Sequence, residues 1–387
     1  MDVHLEHLYT LARQKRRGEG DYGRVVAAQN FKHIRQLSSR RPDVETGEAD
    51  MSLDHAETKP HERLSTLLAD DLAGVNALIR ERMASEHAPR IPEVTAHLVE
   101  AGGKRVRPML TLACARLCGY EGTDHVKLAA TVEFIHTATL LHDDVVDESA
   151  ERRGRPTANL LWDNKSSVLV GDYLFARAFQ MMVEPGNLRV LTILSNAAAT
   201  IAEGEVLQLS AAMNIDTSEA TYLQVIRGKT AALFQAACEV GGVISDSDES
   251  VVQALAAFGD GLGVAFQMAD DLLDWGGVDA ASAGTLDKNI GDDFRERKLT
   301  LPVIRAIAAG DEDQRAFWKR TIGKGDQRDG DLEEALRLLT VHGTLAQTRD
   351  EANSHVARAK AALEALPDDP IRGLLSDLAD YVVARLN

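Results

Sequence analysis

The sequence predicts an all-helical protein, with one large helical domain over residues 61–387 and a polar N-terminal extension over residues 1–60. Apolar residues recur at three- and four-residue spacing from Leu64 onward, which is typical of amphipathic helices. Aromatic residues make up only 5% of the 387 residues, and alanine and leucine, which favour helices, are frequent in the middle of the chain. No run of alternating apolar and polar residues indicates a strand.

Residues 1–60 are polar and show no sustained periodicity. Such segments bury too little apolar surface to order themselves, so we expect a disordered or loosely attached extension. Met51 lies just before the first periodic segment, and translation from this residue is a second interpretation that the sequence leaves open.

The periodic segments that follow predict a series of helices separated by glycine and proline. The segments are 64–84, 110–117, 126–146, 167–182, 190–213, 222–240, 251–273, 301–308, 332–341, 348–366 and 371–386. Three of them are apolar over most of their circumference, and we expect these helices to lie inside the bundle. They are 126–146, 190–213 and 251–273.

Composition disfavours several classes of function. The formal net charge of −17 disfavours nucleic-acid binding, which needs a basic surface. The three cysteines do not indicate a disulfide framework. The N-terminus lacks a signal-peptide pattern, and no apolar stretch is long enough to span a bilayer. We therefore expect a cytoplasmic protein without stable membrane insertion.

Two clusters of aspartates each lie at the end of a largely apolar predicted helix. The first reads DDVVD from Asp143 to Asp147, and the second reads DDLLD from Asp270 to Asp274. The first and last aspartates of each cluster are four positions apart, so their carboxylates lie on one helical face. Carboxylates crowded at the C-terminal end of a helix repel one another and oppose the helix dipole. One such cluster could be a solvated helix end, but its repetition favours a metal site. We expect Mg²⁺, which takes carboxylate, water and phosphate oxygens.

A basic loop supplies the opposite charge. It reads GGKRVRP over residues 102–108, where Lys104 and Arg107 follow a flexible glycine pair. Lysine and arginine can contact a phosphate from several directions. Arg152 and Arg153, just beyond the first aspartate cluster, add two more cations. In an acidic protein with two metal-type clusters, this loop indicates a second, metal-free diphosphate site.

These features together indicate an enzyme that acts on diphosphates. The sequence contains no phosphate loop of the Gly-x-x-x-x-Gly-Lys-Ser/Thr type, which disfavours the P-loop nucleotide-binding class. No nucleophile–base pair stands out either. The predicted sites are suited to holding a diphosphate and ionising it electrostatically as a leaving group.

The sequence resembles the trans-isoprenyl diphosphate synthases, and among them the bacterial octaprenyl and decaprenyl diphosphate synthases. The resemblance spans residues 64–387 and rests on motifs in a fixed order. These are GGKRVRP, EFIHTATLLHDDVVDE, RRGRPTAN, VLVGDYLFARAFQMM, GEVLQL, RGKTAALF, FQMADDLLD and the stretch through KLTLP. The resemblance implies an isoprenoid synthase-type helical bundle with a central cavity. It also implies successive condensation of isopentenyl diphosphate onto an allylic diphosphate, and usually a homodimer.

The resemblance further implies a role for individual residues. Those expected to bind isopentenyl diphosphate are Lys104, Arg107, His136 and Arg153. Those expected to line the allylic diphosphate site are Arg152, Lys229, Thr230, Gln267 and Lys288. The expected Mg²⁺ ligands are Asp143, Asp147, Asp270 and, through water, Asp274. The residues expected to act directly in the chemistry are Asp143, Asp147, Lys229 and Asp270.

The sequence departs from the family at one loop. Many relatives read Gly-Lys-x-x-Gly-x-Asp and then Glu-Gly-Lys after the second cluster, whereas residues 287–293 here read DKNIGDD and residues 296–298 read ERK. Both lysines, Lys288 and Lys298, are retained. The loss of two glycines alters the flexibility of the loop.

Product length is expected to depend on Ala138 and Thr139, which lie one turn before the first cluster and form the floor of the site in this family. Neither is aromatic, so an open floor and a long product in the octaprenyl to decaprenyl range are expected, as for a quinone side chain. A medium-chain synthase making geranylgeranyl or farnesyl diphosphate is the alternative enzyme.

Three other classes are disfavoured. A terpene cyclase would not normally carry the GGKRVRP loop or a second complete cluster. A non-catalytic partner subunit of a heteromeric synthase tends to have lost aspartates, and both clusters are complete here. A calcium-binding helical module would need an EF-hand loop pattern, which the sequence lacks.

Overall fold

The computed structural model describes residues 58–100, 103–276 and 290–385. Of the expected N-terminal extension, only residues 58–60 are among these residues. Lys288 also lies outside the described residues. For the described residues, the all-helical prediction is confirmed.

The described chain consists mainly of helices. In chain order these are α1 (Pro60–Leu67), α2 (Ala69–Arg82), α3 (Arg90–Glu100), α4 (Val106–Leu117), α5 (Asp124–Val146), α6 (Ala158–Leu161), α7 (Asn164–Val183), α8 (Leu188–Ala211), α9 (Glu219–Ile226), α10 (Ala232–Ile244), α11 (Glu249–Asp274), α12 (Asp292–Arg295), α13 (Leu301–Ala309), α14 (Glu312–Trp318), α15 (Asp331–Val341), α16 (Thr344–Leu363) and α17 (Pro370–Ala384). Two π-helical turns, π1 (Arg227–Ala231) and π2 (Lys319–Gly323), directly follow α9 and α14.

Some boundaries differ from the prediction. The segment 64–84, predicted as one helix, contains α1 and α2, which are separated at Leu68. Helix α3 was not predicted. It contains Pro92 in its first turn, a position where proline is tolerated because the amide there has no partner within the helix. The short helices α6, α12 and α14 were also missed, since such short segments carry little periodicity.

The described chain also contains one short pair of strands that the sequence did not predict. Strands β1 (Glu151–Arg152) and β2 (Arg155–Pro156) form a short antiparallel hairpin. The two residues between them, Arg153 and Gly154, have φ of 54° and 74°. Positive φ at both central residues is the geometry of a type I′ turn, whose twist matches that of the paired strands. The hairpin follows the first aspartate cluster directly.

Helix α11 lies at the centre of the bundle, where it packs against α10 and α16. Helix α5 packs against α7 and α4, and α4 also contacts α10. Large apolar side chains, including Phe134 of α5 and Phe258 of α11, are fully buried between these helices. The two helices that end in the aspartate clusters are therefore held in place by the main core.

The prediction that segment 190–213 lies inside the bundle is wrong for the single chain. Leu188, Val206 and Leu209 of α8 are 78%, 63% and 55% exposed. By length and composition, α8 and α11 could each cross a membrane, but α11 is largely buried in the protein core. The apolar periodicity of α8 indicates an apolar surface on this helix. It does not indicate whether this chain or another molecule covers that surface.

Candidate active site

A cavity of about 400 Å³ lies where helices α5, α8 and α11 end. Four of the predicted site residues line it, namely Asp147, Lys229, Thr230 and Gln267. Asp271 and the segment after α12 complete the wall, with Asp293 and residues 296–300. The two aspartate clusters, which are far apart in the sequence, thus contribute to one cavity.

Asp143 of the first cluster is largely buried next to a cation. Its Oδ2 lies 4.0 Å from Nζ of Lys229, which is also 2.9 Å from Oε1 of Glu205. Burial raises the pKa of Asp143 to about 7, and the nearby Lys229 opposes this rise. Lys229 alone therefore leaves much of the cost of burying the Asp143 carboxylate uncompensated.

The position of Lys229 depends on a close approach between α8 and the turn π1. A Cβ on Gly204 of α8 would lie 2.7 Å from the backbone nitrogen of Lys229. A Cβ on Gly228 would lie 2.8 Å from the Cα of Gly204. Only glycine at both positions permits this backbone contact. The two glycines belong to the GEVLQL and RGKTAALF motifs, so these motifs encode the distance between two backbones.

Asp144, the second of the three aspartates in the first cluster, forms an ion pair with Arg152. It is fully buried, and its Oδ1 accepts a 2.8 Å hydrogen bond from Nε of Arg152, whose Nη2 lies 2.7 Å from the same oxygen. The hairpin of β1 and β2 carries Arg152 back to this carboxylate. Asp144 therefore holds Arg152, one of the predicted diphosphate ligands, at the edge of the first cluster.

The middle aspartate of the second cluster, Asp271, is also held by neighbouring side chains. Asp271 accepts a 2.6 Å hydrogen bond from the Tyr222 hydroxyl and a 2.9 Å hydrogen bond from Nε2 of Gln267. Oε1 of Gln267 in turn accepts a 2.7 Å hydrogen bond from the Thr230 hydroxyl. This network links α9, π1 and α11, and burial raises the pKa of Asp271 to about 6. These hydrogen bonds orient both Gln267 and Thr230 at the cavity.

The outer aspartates of the second cluster have other partners. Asp270 is bound by Nη2 of Arg385 at 2.6 Å. The two oxygens of Asp274 each accept a 3.1 Å hydrogen bond from a backbone amide, one of Asp292 and one of Asp293. Asp274 therefore holds the start of α12 against the end of α11. Its carboxylate oxygens keep lone pairs for other ligands.

The predicted basic site is assembled mainly around His136. Nη1 of Arg107 lies 3.2 Å from Nε2 of His136, and Arg153 approaches Gly103 so closely that a Cβ there would be 2.8 Å from its Nη1. Burial lowers the pKa of His136 well below its usual value, and the nearby arginines lower it further. His136 is therefore neutral at physiological pH. Lys104 lies towards α17, 5.8 Å from the ring of Tyr381.

The aspartates of the site supply carboxylate oxygens, the ligand type that Mg²⁺ prefers. Among the described residues, no three His, Cys, Asp or Glu side chains converge closely enough to hold a metal ion by themselves. Magnesium usually takes one or two protein carboxylates together with water and substrate phosphate oxygens. A buried carboxylate with a raised pKa, such as Asp143, gains from a cation beside it. The residues therefore fit a Mg²⁺ ion that binds together with a diphosphate.

Comparisons with known proteins agree with this geometry. The sequence model of the polyprenyl synthetase family matches residues 88–339. The chain belongs to this family. Octaprenyl diphosphate synthase of Escherichia coli (strain K12) is 45% identical over 324 residues, which cover 84% of this chain and 98% of that protein.

Solved structures give the same result. A decaprenyl diphosphate synthase from Rhodobacter capsulatus has 69% sequence identity and a TM-score of 0.83, covering 85% of this chain and all of the other. A polyprenyl synthase from Caulobacter crescentus CB15, in complex with calcium and isoprenyl diphosphate, has 49% identity and a TM-score of 0.78. That alignment covers 84% of this chain and 98% of the other. The resemblance to prenyl diphosphate synthases and the isoprenoid synthase-type fold are thereby confirmed.

The two predicted chain-length residues are not among those that line the cavity just described. Ala138 is fully buried in the core, and the Thr139 hydroxyl donates a 2.8 Å hydrogen bond to the carbonyl of His136. Among the described residues, neither of these two lines the 400 Å³ cavity. Their expected role stays a prediction.

Several charged residues at the site were not predicted from the sequence. Arg385 binds Asp270 from the other end of the chain and lies outside every motif. Lys298 was noted as a retained lysine but was given no role, and it lines the cavity together with Asp293. Glu205, which holds Lys229, lies within the GEVLQL motif. The motifs could therefore have pointed to Glu205 and Lys298 as site residues. No sequence motif could have pointed to Arg385.

The raised pKa of Asp143 predicts how pH affects the metal-free protein. The carboxyl keeps its proton to about pH 7 when folded but loses it near 3.8 when unfolded. Its contribution to stability is therefore fully present below about pH 4 and is lost as pH rises through about 7. Mg²⁺ competes with this proton, so the rise in melting temperature on adding Mg²⁺ should be larger at about pH 8 than at about pH 6.

The variant Asp143→Asn should flatten this difference, and Glu121→Gln, at an exposed position, should leave it unchanged. Differential scanning fluorimetry measures both effects. An Asp143→Asn protein with the wild-type dependence on pH and Mg²⁺ would show that Asp143 does not titrate in this range.

Proposed function

We propose that this chain is a Mg²⁺-dependent long-chain all-trans-polyprenyl diphosphate synthase. The observation that carries the proposal is that residues of both aspartate clusters line one cavity together with Lys229 and Lys298. This arrangement suits a diphosphate that must be bound and then released as a leaving group. The relatives named as octaprenyl and decaprenyl diphosphate synthases support the choice of substrate class.

In the proposed reaction, the bond between the allylic carbon and its diphosphate oxygen breaks, and diphosphate leaves with the electron pair. The double bond of isopentenyl diphosphate attacks the cationic carbon, and transfer of a proton to the released diphosphate then restores a double bond. The product is an allylic diphosphate that is one isoprene unit longer, and repetition of the cycle lengthens the chain.

The residues around the cavity would promote the ionisation step. Asp143, Asp147, Asp270 and, through water, Asp274 would hold Mg²⁺, which neutralises and polarises the leaving diphosphate when it is bound. Lys229 and Lys298 place positive charge in the cavity wall. Arg152 is held at the edge of the first cluster by Asp144.

The cationic carbon would be stabilised by dipoles. Thr230 and Gln267 are joined by a 2.7 Å hydrogen bond, and both line the cavity. Because Asp271 fixes the orientation of Gln267, these dipoles are in place before the reaction begins.

Isopentenyl diphosphate would bind at the basic site. Arg107 and Arg153 lie around the neutral His136, and Lys104 lies beside Tyr381 of α17. Burial lowers the pKa of Arg107 to about 10, so this guanidinium stays charged but loses most of its hydration. A dianionic diphosphate would restore the interactions that burial removed.

We also propose a cytoplasmic homodimer. The exposed apolar side chains of α8 give this helix a surface that another copy of the chain could cover. Phe179 and Val183 of α7, which are 45% and 55% exposed, add to the apolar surface that the single chain leaves uncovered.

Product sizing tests the central proposal. Purified chain, incubated alone with farnesyl diphosphate, isopentenyl diphosphate and Mg²⁺, should give a ladder of products that ends in the octaprenyl to decaprenyl range. Asp147→Asn and Asp270→Asn should each lower kcat by at least ~100-fold, since each removes a carboxylate that would hold the Mg²⁺ that stabilises the leaving diphosphate. Asp329→Asn, at an exposed position, is the matched control.

The outcome separates the alternatives. A ladder that ends at farnesyl or geranylgeranyl diphosphate would favour the medium-chain synthase. Folded protein that elongates nothing alone, but does so with a second subunit, would favour the non-catalytic partner.

The expected role of Ala138 gives a second prediction. Ala138→Tyr should shorten the product because the ring would block the path of the growing chain. Since Ala138 is fully buried, a thermal melt must show that the variant is folded. Ala138→Ser, which adds only a hydroxyl, should leave the product unchanged. An unchanged ladder from folded Ala138→Tyr protein would exclude this floor.

The proposed dimer is tested by sedimentation velocity. The wild-type protein should sediment at twice the mass of the chain, and Val206→Asp should shift the population towards monomer. Val341→Asp is the control, since Val341 and Val206 are about equally exposed at 62% and 63%. A wild-type monomer at micromolar concentration would contradict the proposal.

A further inference from the structure

Arg297 has an unusual backbone conformation next to the cavity. It follows α12 with a φ of 62°, in the left-handed region that favours glycine. It also lines the cavity, between Glu296 and Lys298. A side chain with a Cβ is strained in this conformation, so an arginine here calls for a compensating interaction.

The turn at Arg297 has the hydrogen bonds of a Schellman motif. The amide of Lys298 donates to the carbonyl of Asp293 at 2.8 Å, and the amide of Arg297 donates to the carbonyl of Phe294 at 3.1 Å. This motif ends a helix with one left-handed residue, for which glycine is the usual choice. Arg297 occupies that position.

The Arg297 side chain provides the compensation. Its Nε donates to the carbonyl of Ile322 at 2.8 Å, and its Nη2 donates to the carbonyl of Gly323 at 2.7 Å. These carbonyls belong to the end of π2, where a cation is favourable because the last carbonyls carry partial negative charge. A glycine at position 297 would relax the backbone but could not make either bond.

The structure to which Arg297 is attached is rigid. Ile322 is fully buried, and Trp318 is fully buried with its ring edge-on to Phe294 at 6.4 Å. Gly325 leaves room for the guanidinium, since a Cβ there would lie 2.9 Å from Nη1 of Arg297. The hydrogen bonds of Arg297 therefore connect the cavity wall to the packed core beneath it.

The segment held in this way carries charges that face both aspartate clusters. Nζ of Lys298 lies 2.5 Å from Glu296 and 3.8 Å from Asp293. The amide of Asp293 also donates to Asp274. The segment is thus fixed by Asp274 at one end and by Arg297 at the other.

We propose that Arg297 is a positioning residue, which holds Lys298 and Asp293 in the cavity wall through its left-handed turn and its two hydrogen bonds to π2. It acts through Lys298 and does not itself need to contact a substrate. The inference rests on the proposed function, because the importance of Lys298 depends on a diphosphate in the cavity.

Three variants of the full chain test this role. Arg297→Gly removes the strain and the side chain, Arg297→Ala removes the side chain but keeps the strain, and Arg337→Ala is the control. Arg337 forms a bidentate pair with Glu334 on the surface of α15. The measurements are kcat and KM for both diphosphates, the melting temperature, and hydrogen exchange of residues 290–300 followed by mass spectrometry.

Both Arg297 variants should show faster exchange over residues 290–300 and at least a ~10-fold lower kcat, since small displacements of a positioned group are costly to catalysis. The KM for isopentenyl diphosphate should change by less than about twofold, because the Arg107 and His136 site is separate. The control should behave as wild type.

Wild-type exchange and kcat in Arg297→Gly would overturn the proposal, because the side chain would then be dispensable. A large fall in melting temperature with faster exchange throughout the chain would also overturn it, since Arg297 would then support folding in general. If wild-type protein makes no polyprenyl product but exchange changes as expected, the proposed function fails and the anchoring by Arg297 stands.

Discussion

The site depends on the cost of placing several carboxylates at the ends of two apolar helices around one cavity. Burial raises the pKa of Asp143 to about 7 and that of Asp271 to about 6. An uncompensated buried charge costs several kcal/mol, so cations must lie close to such groups. Lys229 and Lys298 supply part of this charge. A divalent cation bound together with a diphosphate would supply the remainder.

Within each cluster, the middle aspartate differs from the outer two. Asp144 is buried against Arg152, and Asp271 is bonded to Tyr222 and Gln267. Both carboxylates orient neighbouring side chains. The outer residues remain near the cavity or the basic site. The Asp-Asp-x-x-Asp pattern therefore places a positioning carboxylate between the two outer aspartates, which are the proposed Mg²⁺ ligands.

The sequence was sufficient for the parts of the site that lie within local motifs. The spacing of Asp143 and Asp147 on one helical face could be predicted because helical periodicity is a local property. The contact between Arg385 and Asp270 could not, since it joins residues 115 positions apart. The exposure of α8 was missed for a related reason, because an apolar face can be buried by this chain or by another. In the sequence, the only sign of the left-handed turn at Arg297 was that arginine replaces the glycine of the Glu-Gly-Lys pattern found in many relatives.

The central claim is that the outer aspartates of both clusters meet one diphosphate through Mg²⁺. A crystal structure of the chain with Mg²⁺ and a non-hydrolysable thiodiphosphate analogue of farnesyl diphosphate tests it most directly. The account predicts Mg²⁺ density between the analogue's diphosphate and the carboxylates of Asp143, Asp147 and Asp270, with Asp271 still bonded to Tyr222. A diphosphate bound away from both clusters, or Mg²⁺ held by Asp144 and Asp271 in place of the outer residues, would contradict it.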